Sequence, residues 1–370
     1  MRGRREPQAL MLAYIDLEQR VPKDHPLRTI KVLADQALAG MSEIFDAMYA
    51  EGGRPSIPPE RLLKASLLIA FYSVRSERAF CEQLDYDLLF RWFLDMELVE
   101  PSFDPTTFTK NRTRLLDHDV GHALFDLVVG QADERGLLSD EHFTVDGTLI
   151  EAAASLKSFK PRDGEPPRTT DDDPGNPTVD FHGEKRSNAT HRSTTDPDAR
   201  LAKKGRTAAR LSYMGHALME NRHGLLVDFQ ITTASGTAER DVVGPLLDRA
   251  MERGFHPSTL GADKGYDTRD CVADLEARGV SPHIARNITH HRGSAVDDTI
   301  AATPGYTVSQ KLRKRVEEIF GWMKTIAGLR RTRYRGLPKT SLGGILVATA
   351  YNLVRLSKLL AKPTARPVAA

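Results

Sequence analysis

Leu312-Arg313-Lys314-Arg315-Val316-Glu317-Glu318-Ile319-Phe320-Gly321-Trp322-Met323-Lys324 is the stretch from which the rest of the chain is read. As a helix advancing about 100° per residue, it puts Val316, Ile319, Phe320, Met323 and Ile326 on one apolar stripe. Arg313, Glu317 and Lys324 fall along the edge of that stripe, so a carboxylate flanked by two cations borders a buried face. Glu318 points roughly 100° further round, away from the cations and from the stripe. Glu317 is therefore the candidate functional acid and Glu318 is not. The plain alternative is an amphipathic surface helix whose charges pair at i,i+3 and i,i+4.

A chain of 370 residues can bury a large core and suggests two domains with an irregular insertion. The formal net charge is only +2, so affinity for a polyanion must come from local clusters. Such clusters occur at Arg2, Arg4 and Arg5, and at Arg330, Arg331, Arg333, Arg335 and Lys339. The two cysteines, Cys81 and Cys271, lie far apart, which fits reduced thiols in a cytoplasmic compartment and gives neither a disulfide framework nor zinc-ligand spacing. No sustained apolar run follows the basic start, so no signal peptide is expected. Leu342 to Leu360 is apolar but interrupted by Arg355 and Lys358, and is read as a buried helix and not a membrane span.

Residues 1–138 read as a helical domain. Pro58-Pro59-Glu60 opens one helix, Asp104-Pro105 caps another, and a third runs from about Val120 to Glu134 and stops at Gly136. The aromatics Phe71, Tyr72, Phe80, Tyr86, Phe90, Trp92 and Phe93 recur at helical spacing and are expected to pack as core. Residues 139–340 read differently. His142 to Val145 is a short extended run ending at Asp146-Gly147-Thr148. Residues 156–207 are polar and Pro-rich, and are expected to form a mobile insertion because they offer little burial to offset ordering entropy. Leu211–Glu220 and Leu225–Thr232 form a hairpin. There follow a helix over 238–253, a strand over 259–262 ending at Asp263, a helix over 267–278 and a last strand over 280–285. This order predicts a helical N-terminal domain followed by an α/β domain with a mixed five-stranded sheet, and a C-terminal helix and tail over 341–370.

Asp146 and Asp263 each end a strand. If those strands are neighbours, both carboxylates emerge at one sheet edge that the helix bearing Glu317 can cover. Three acids in a partly dry site repel one another unless a cation neutralises them, and a hard cation with oxygen ligands such as Mg2+, with Mn2+ as a substitute, suits that role. Two such ions about 3.5–4 Å apart would activate a water or a 3′ hydroxyl and stabilise the leaving oxygen of a phosphoryl displacement. Arg313 and Lys324 would then face the phosphates of the strand being cut. Tyr266 is a candidate for stacking on a base or packing beside Asp263. His283, His290 and His291 match no zinc spacing and are expected to be solvated loop residues.

These motifs resemble the DDE transposases of bacterial insertion sequences, in particular the group of insertion sequence four and its relative insertion sequence five. The family's first acid lies in a strand before a small residue and Thr, matching Asp146-Gly147-Thr148. Its second lies in Asp-x-Gly-Tyr, matching Asp263-Lys264-Gly265-Tyr266. Its third lies in Tyr-x2-Arg-x3-Glu-x6-Lys, which Arg313, Glu317 and Lys324 match while Gln310 stands in place of the Tyr. The resemblance implies an RNase H-like catalytic domain that cuts double-stranded DNA at terminal inverted repeats and joins the freed 3′ hydroxyls to target DNA. It also implies that the first Asp bridges both metals and that the enzyme works as a homo-oligomer pairing the two ends. Two other readings compete. Val145-Asp146-Gly147-Thr148 resembles the loop of haloacid dehalogenase-type phosphatases, but their nucleophile would fall on Thr144, which cannot form an aspartyl-phosphate. A DNA-binding relative or repressor without turnover is the other, and the presence of all three acids argues against it.

Overall fold

The computed structural model describes residues 14–49, 52, 56–162, 179–181, 184–205, 208–288 and 293–361. Eight helices come first: α1 (Leu17–Arg20), α2 (Pro26–Ala39), α3 (Ser42–Met48), α4 (Pro59–Phe71), α5 (Glu77–Leu84), α6 (Leu88–Phe93), α7 (Thr106–Asp117) and α8 (Val120–Asp133). Their starts follow local chemistry. Pro59 occupies the first turn of α4, where an N–H would have no partner, and the Asp104 carboxylate accepts the Thr106 N–H at the start of α7. The aromatics between them pack as expected, with Phe80 and Phe90 stacked at 5.5 Å, although Tyr86 is 70% exposed and lies outside that core.

The sheet follows, formed by β1 (His142–Glu151) and by strands that return to it from later in the chain. Within the polar insertion, β2 (Phe159–Pro161), β3 (Val179–Phe181), β4 (Glu184–Arg186) and β5 (His191–Ser193) make two small pairs, β2 with β5 and β3 with β4. Then come β6 (Arg200–Ala202), β7 (Arg210–Glu220), β8 (Leu225–Thr233), α9 (Ala238–Asp241), α10 (Val243–Glu252), β9 (Thr259–Ala262), α11 (Arg269–Ala277) and β10 (Ser281–Ile284). The chain closes with α12 (Asp298–Ala301), α13 (Pro304–Leu312), α14 (Val316–Thr325) and α15 (Leu337–Ala361). The strands lie in the order β10-β9-β1-β7, with both β8 and β6 on the far side of β7. The pairs β1–β9 and β9–β10 are parallel, and β1–β7, β7–β8 and β6–β7 are antiparallel.

The mixed sheet is as expected, but it has six strands instead of five, because β6 comes out of the insertion. The described part of that insertion is ordered, which corrects the expectation of a mobile segment. Ser193, Asp196, Ala199 and Leu201 are buried there, and the Asp196 carboxylate accepts both the Tyr213 hydroxyl at 2.6 Å and the Gly336 N–H at 3.1 Å. These bonds and the burial of Phe159 and Leu201 offset the ordering cost that composition alone suggested. The acidic run Asp171-Asp172-Asp173 lies outside the described residues, as do His290, His291 and the N-terminal arginines.

Two boundaries also move. β1 does not stop at Asp146 but continues to Glu151, because β7 pairs with it from Phe143 to Glu151. The helix expected over 238–253 is split into α9 and α10, since the Pro245 ring clashes with the carbonyl four residues back, at Asp241. The hairpin is as read, turning at Gly224, whose φ of +68° a side chain would disfavour.

α15 is the buried helix expected near the C-terminal end. It packs on β8 and on α2, α4 and α8, joining the helical region to the sheet. Although long and apolar enough to cross a bilayer, it serves here as a core helix. Its buried Asn352 accepts the Leu226 N–H at 2.9 Å and donates to the Leu226 carbonyl at 2.8 Å. That amide satisfies both main-chain groups of Leu226 on the edge of β8 that α15 covers.

Candidate active site

β9 has only four residues, while its parallel neighbour β1 has ten. Their register pairs His142 with Thr259, Phe143 with Leu260 and Thr144 with Gly261. Two steps further, Asp146 stands level with Asp263, where β9 turns off into a 3-10 turn over Lys264–Tyr266. From that point until Glu151, which bridges Arg331, β1 has no strand partner on this side, and both carboxylates stand at this gap. The Asp263 side chain caps the turn by accepting the Gly265 N–H at 2.7 Å. Asp146 accepts its neighbour Gly147 N–H at 2.7 Å. Burial pushes the Asp146 carboxyl up to about 6, with the Asp263 and Glu239 charges adding to the rise, against the pull of the Lys204 ammonium and the Gly147 N–H.

α14 lies along this edge. Its buried stripe is Val316, Ile319, Phe320 and Met323, as read, while Ile326 falls past the helix end and is 39% exposed. Arg313 is not α-helical: Arg313–Arg315 form a 3-10 turn between α13 and α14. That turn sits over β9, since a Cβ added to Gly261 would lie 3.4 Å from the Arg313 Cβ. Gln310, in the place of the family's Tyr, accepts the Arg313 Nε–H at 2.9 Å and donates to the His283 carbonyl at 2.6 Å, holding the guanidinium over the strand end. At the other end of α14, burial lowers the Lys324 ammonium below the usual lysine range, and Lys204, Arg330, Glu151 and Asp146 are the charges acting on it. Glu317 lies between these cations in the first turn and is exposed. Glu318 is turned to the other side, where its charge acts on Tyr351 together with Arg315 and Arg355.

The sheet thus brings Asp146 and Asp263 together, and α14 carries Glu317 over the same edge without bringing it into their immediate company. Among the described residues, no three His, Cys, Asp or Glu side chains stand close enough to share one ion as they lie. Several other expectations are corrected. Tyr266 is fully buried, so no base can stack on it; it packs beneath the turn that Asp263 caps. His283 is a strand residue, 4% exposed and bonded through Nδ1 to Ser309 at 2.7 Å. Arg330, Arg331, Arg333 and Arg335 are exposed, with Arg331 donating to the Ala152 carbonyl and Arg333 to the Val74 carbonyl. Tyr334, interleaved with them in sequence, is packed under the Arg112 guanidinium at 4.6 Å.

Two residues at this edge have no counterpart in the sequence reading. Lys204, from the end of the insertion, donates to the Gly147 carbonyl at 2.8 Å and to Glu239 at 3.2 Å, and stands 3.9 Å from Asp146. Glu239, in the first turn of α9, lies against Gly147 so closely that an added Cβ would meet its carboxylate at 2.7 Å. The one local signal for this contact is Gly147 itself, a glycine inside a strand, which marks close approach by another group.

Two family models match the chain. One, described as Transposase domain (DUF772), matches residues 15–114, and the other, Transposase DDE domain, matches residues 138–353. The chain belongs to the DDE transposases. This transposase has a mixed-sheet domain preceded by a helical region, and its activity is transposition by DNA cleavage and strand transfer, chemistry for which the family uses divalent metal. It is similar to a piggyBac transposase from a synaptic complex with hairpin DNA, at 10% identity over 92% of this chain and 83% of that one, with a TM-score of 0.39. It is similar also to the Mos1 transposase of a pre-cleavage transpososome, at 12% identity over 85% and 100% of the two chains, with a TM-score of 0.21. A Mos1 mariner paired end complex with Mn matches at 12% identity over 92% and 87%, with a TM-score of 0.20.

The edge fits a divalent cation by its donor chemistry. Its acids offer oxygen donors, the kind that Mg2+ and Mn2+ take. The buried Tyr266 hydroxyl has no hydrogen-bond partner among the described residues, and the Lys204 ammonium stands among carboxylates as a cation would.

Proposed function

We propose that Asp146, Asp263 and Glu317 are the metal-holding acids of this transposase and that it cuts at the terminal inverted repeats of an insertion sequence of the four/five group. The observation that carries the reading is the β1–β9 register, which sets Asp146 beside Asp263 at an open edge under the helix that bears Glu317. Mg2+, as two ions with Mn2+ as a substitute, would activate the attacking water or 3′ hydroxyl and stabilise the leaving oxygen. The acids hold their carboxylates toward the strand being cut. Arg313, held by Gln310, and Lys324, at the other end of α14, bind phosphates on either side of it. Arg330, Arg331, Arg333 and Arg335 extend the phosphate track along the loop after α14 and position double-stranded DNA without reading its sequence. The transposase works as a homo-oligomer that pairs two element ends and inserts them into target DNA, in the bacterial cytoplasm on nucleoid DNA. The buried free thiols of Cys81 and Cys271 fit that reducing compartment.

The test is nicking of a labelled inverted-repeat duplex in Mg2+. Asp146→Asn, Asp263→Asn and Glu317→Gln are each expected to abolish nicking while retaining binding in a mobility-shift assay. Undiminished nicking by any one of them removes that residue from the assignment. Binding without nicking by the wild-type chain would favour a DNA-binding repressor.

A further inference from the structure

The proposed triad leaves two residues of the edge unused. Glu239 approaches from the α9 side and fits against β1 because Gly147 has no side chain in the way, and it shares the Lys204 ammonium with Asp146. α9 is held there from a second direction, since Arg240 donates to the Gly265 carbonyl, two residues past Asp263. The Glu239 carboxylate is three-quarters buried, with 25% of its side chain exposed, and its ion-pair partner at the edge is Lys204. An acid withdrawn that far from water is costly to leave in place unless a cation attends it.

An independent group points to a ligand at the same spot. The Tyr266 hydroxyl is wholly buried and without a hydrogen-bond partner, and the charges acting on it are those of Glu239, Asp146 and Asp263, in that order. A buried hydroxyl in the field of three acids, bonded to none of them, needs an acceptor or a water bridging to it. The hydration shell of an ion held by those acids would supply one. The ammonium of Lys204, meanwhile, makes contacts a metal ion would make, to a backbone carbonyl and two carboxylates.

We propose that Glu239 is a fourth metal-binding carboxylate of this edge, and that Lys204 holds Glu239 and Asp146 in place until a divalent ion displaces its ammonium. The proposal rests on the reading of Asp146 and Asp263 as metal-holding acids. It makes the ordered end of the insertion part of the active site. Lys204 is thereby a positioning residue, acting through the acids it pairs with.

Binding of Mn2+ alone to the full chain without DNA, counted by electron paramagnetic resonance of the free ion, tests the proposal. Glu239→Gln is expected to weaken Mn2+ binding about tenfold or more, the scale of lost interactions around metal sites. Lys204→Met is expected to tighten it severalfold, because no ammonium competes for the oxygens. Gly147→Ala, which thrusts a methyl group at the Glu239 carboxylate without removing any ligand, is expected to mimic Glu239→Gln and serves where that variant fails to fold. Wild-type Mn2+ binding by a folded Glu239→Gln or Gly147→Ala chain, with Asp146→Asn binding lost, would overturn the role of Glu239 and leave the triad standing. Unchanged binding by Asp146→Asn would bring down the underlying reading instead. Weakened binding by Lys204→Met would overturn the displacement.

Discussion

Two clusters of lysine and carboxylate in this transposase are built to opposite specifications. In the helical region, Lys31 and Lys64 each bridge Asp35 and Asp95 at 2.7 to 2.8 Å. Two cations meet two anions, and the buried Lys64 ammonium also lies 5.3 Å over the Phe93 ring. At the sheet edge, Lys204 faces Asp146, Glu239 and Asp263, with contacts loosened to 3.2 Å and 3.9 Å. The first cluster is charge-balanced, and so contributes to the fold. The second is short of positive charge, and so is prepared to take up more. A structural ion network and a site waiting for a cation are thus told apart by charge balance and contact length, not by residue type.

The contrast can be broken most decisively at Asp263. Asp263→Asn is expected to reduce strand cleavage on the order of 10³-fold or more, with a melting temperature equal to or above that of the wild type, because it relieves repulsion at the edge. A marked drop in melting temperature would place Asp263 with the structural cluster. Lys64→Met is the converse case. It leaves Asp35 and Asp95 facing a single lysine and is expected to cost about 2 kcal/mol, a value reduced for the partial exposure of both acids. Denaturant titration checks this, and the chain that remains folded is expected to bind Mn2+ as the wild type does. Arg313→Ala is a smaller perturbation, expected to slow cleavage and to lower the salt slope of DNA binding by about one; an unchanged slope would exclude a phosphate contact. Smallest of all, Glu318→Gln is expected to leave nicking within about twofold of wild type, given that surface changes away from the site have little effect. A loss matching that of Glu317→Gln would show that the two faces of α14 had been assigned the wrong way round.

Much of this was legible in local sequence. The stripe of α14, the cap at Asp104, the hairpin turn at Gly224 and the strand over 259–262 each depend on neighbours within a few positions, where period and turn chemistry are decisive. Asp146 and Asp263 stood out because acids at strand ends are rarely accidental company for a charged helix. The errors are equally local in origin. For Tyr266 the local sequence leaves base stacking and packing beside Asp263 open, and burial of its ring decides for packing. The described residues of the 156–207 insertion read as mobile because composition does not reveal that Asp196 reaches Tyr213 and Gly336.

The amino-acid sequence alone was enough to settle the kinds of elements, their order and the acids worth watching, since helical and strand periodicities are written in near neighbours. Only the folded chain decided that β1 outruns β9, that α15 is a central helix, and that Lys204 and Glu239 join the acids at Gly147. The bond from Lys204 to the Gly147 carbonyl spans 57 positions. Such meetings are fixed by strand register and by how closely elements pack, and one glycine inside a strand is all the trace they leave in the local pattern.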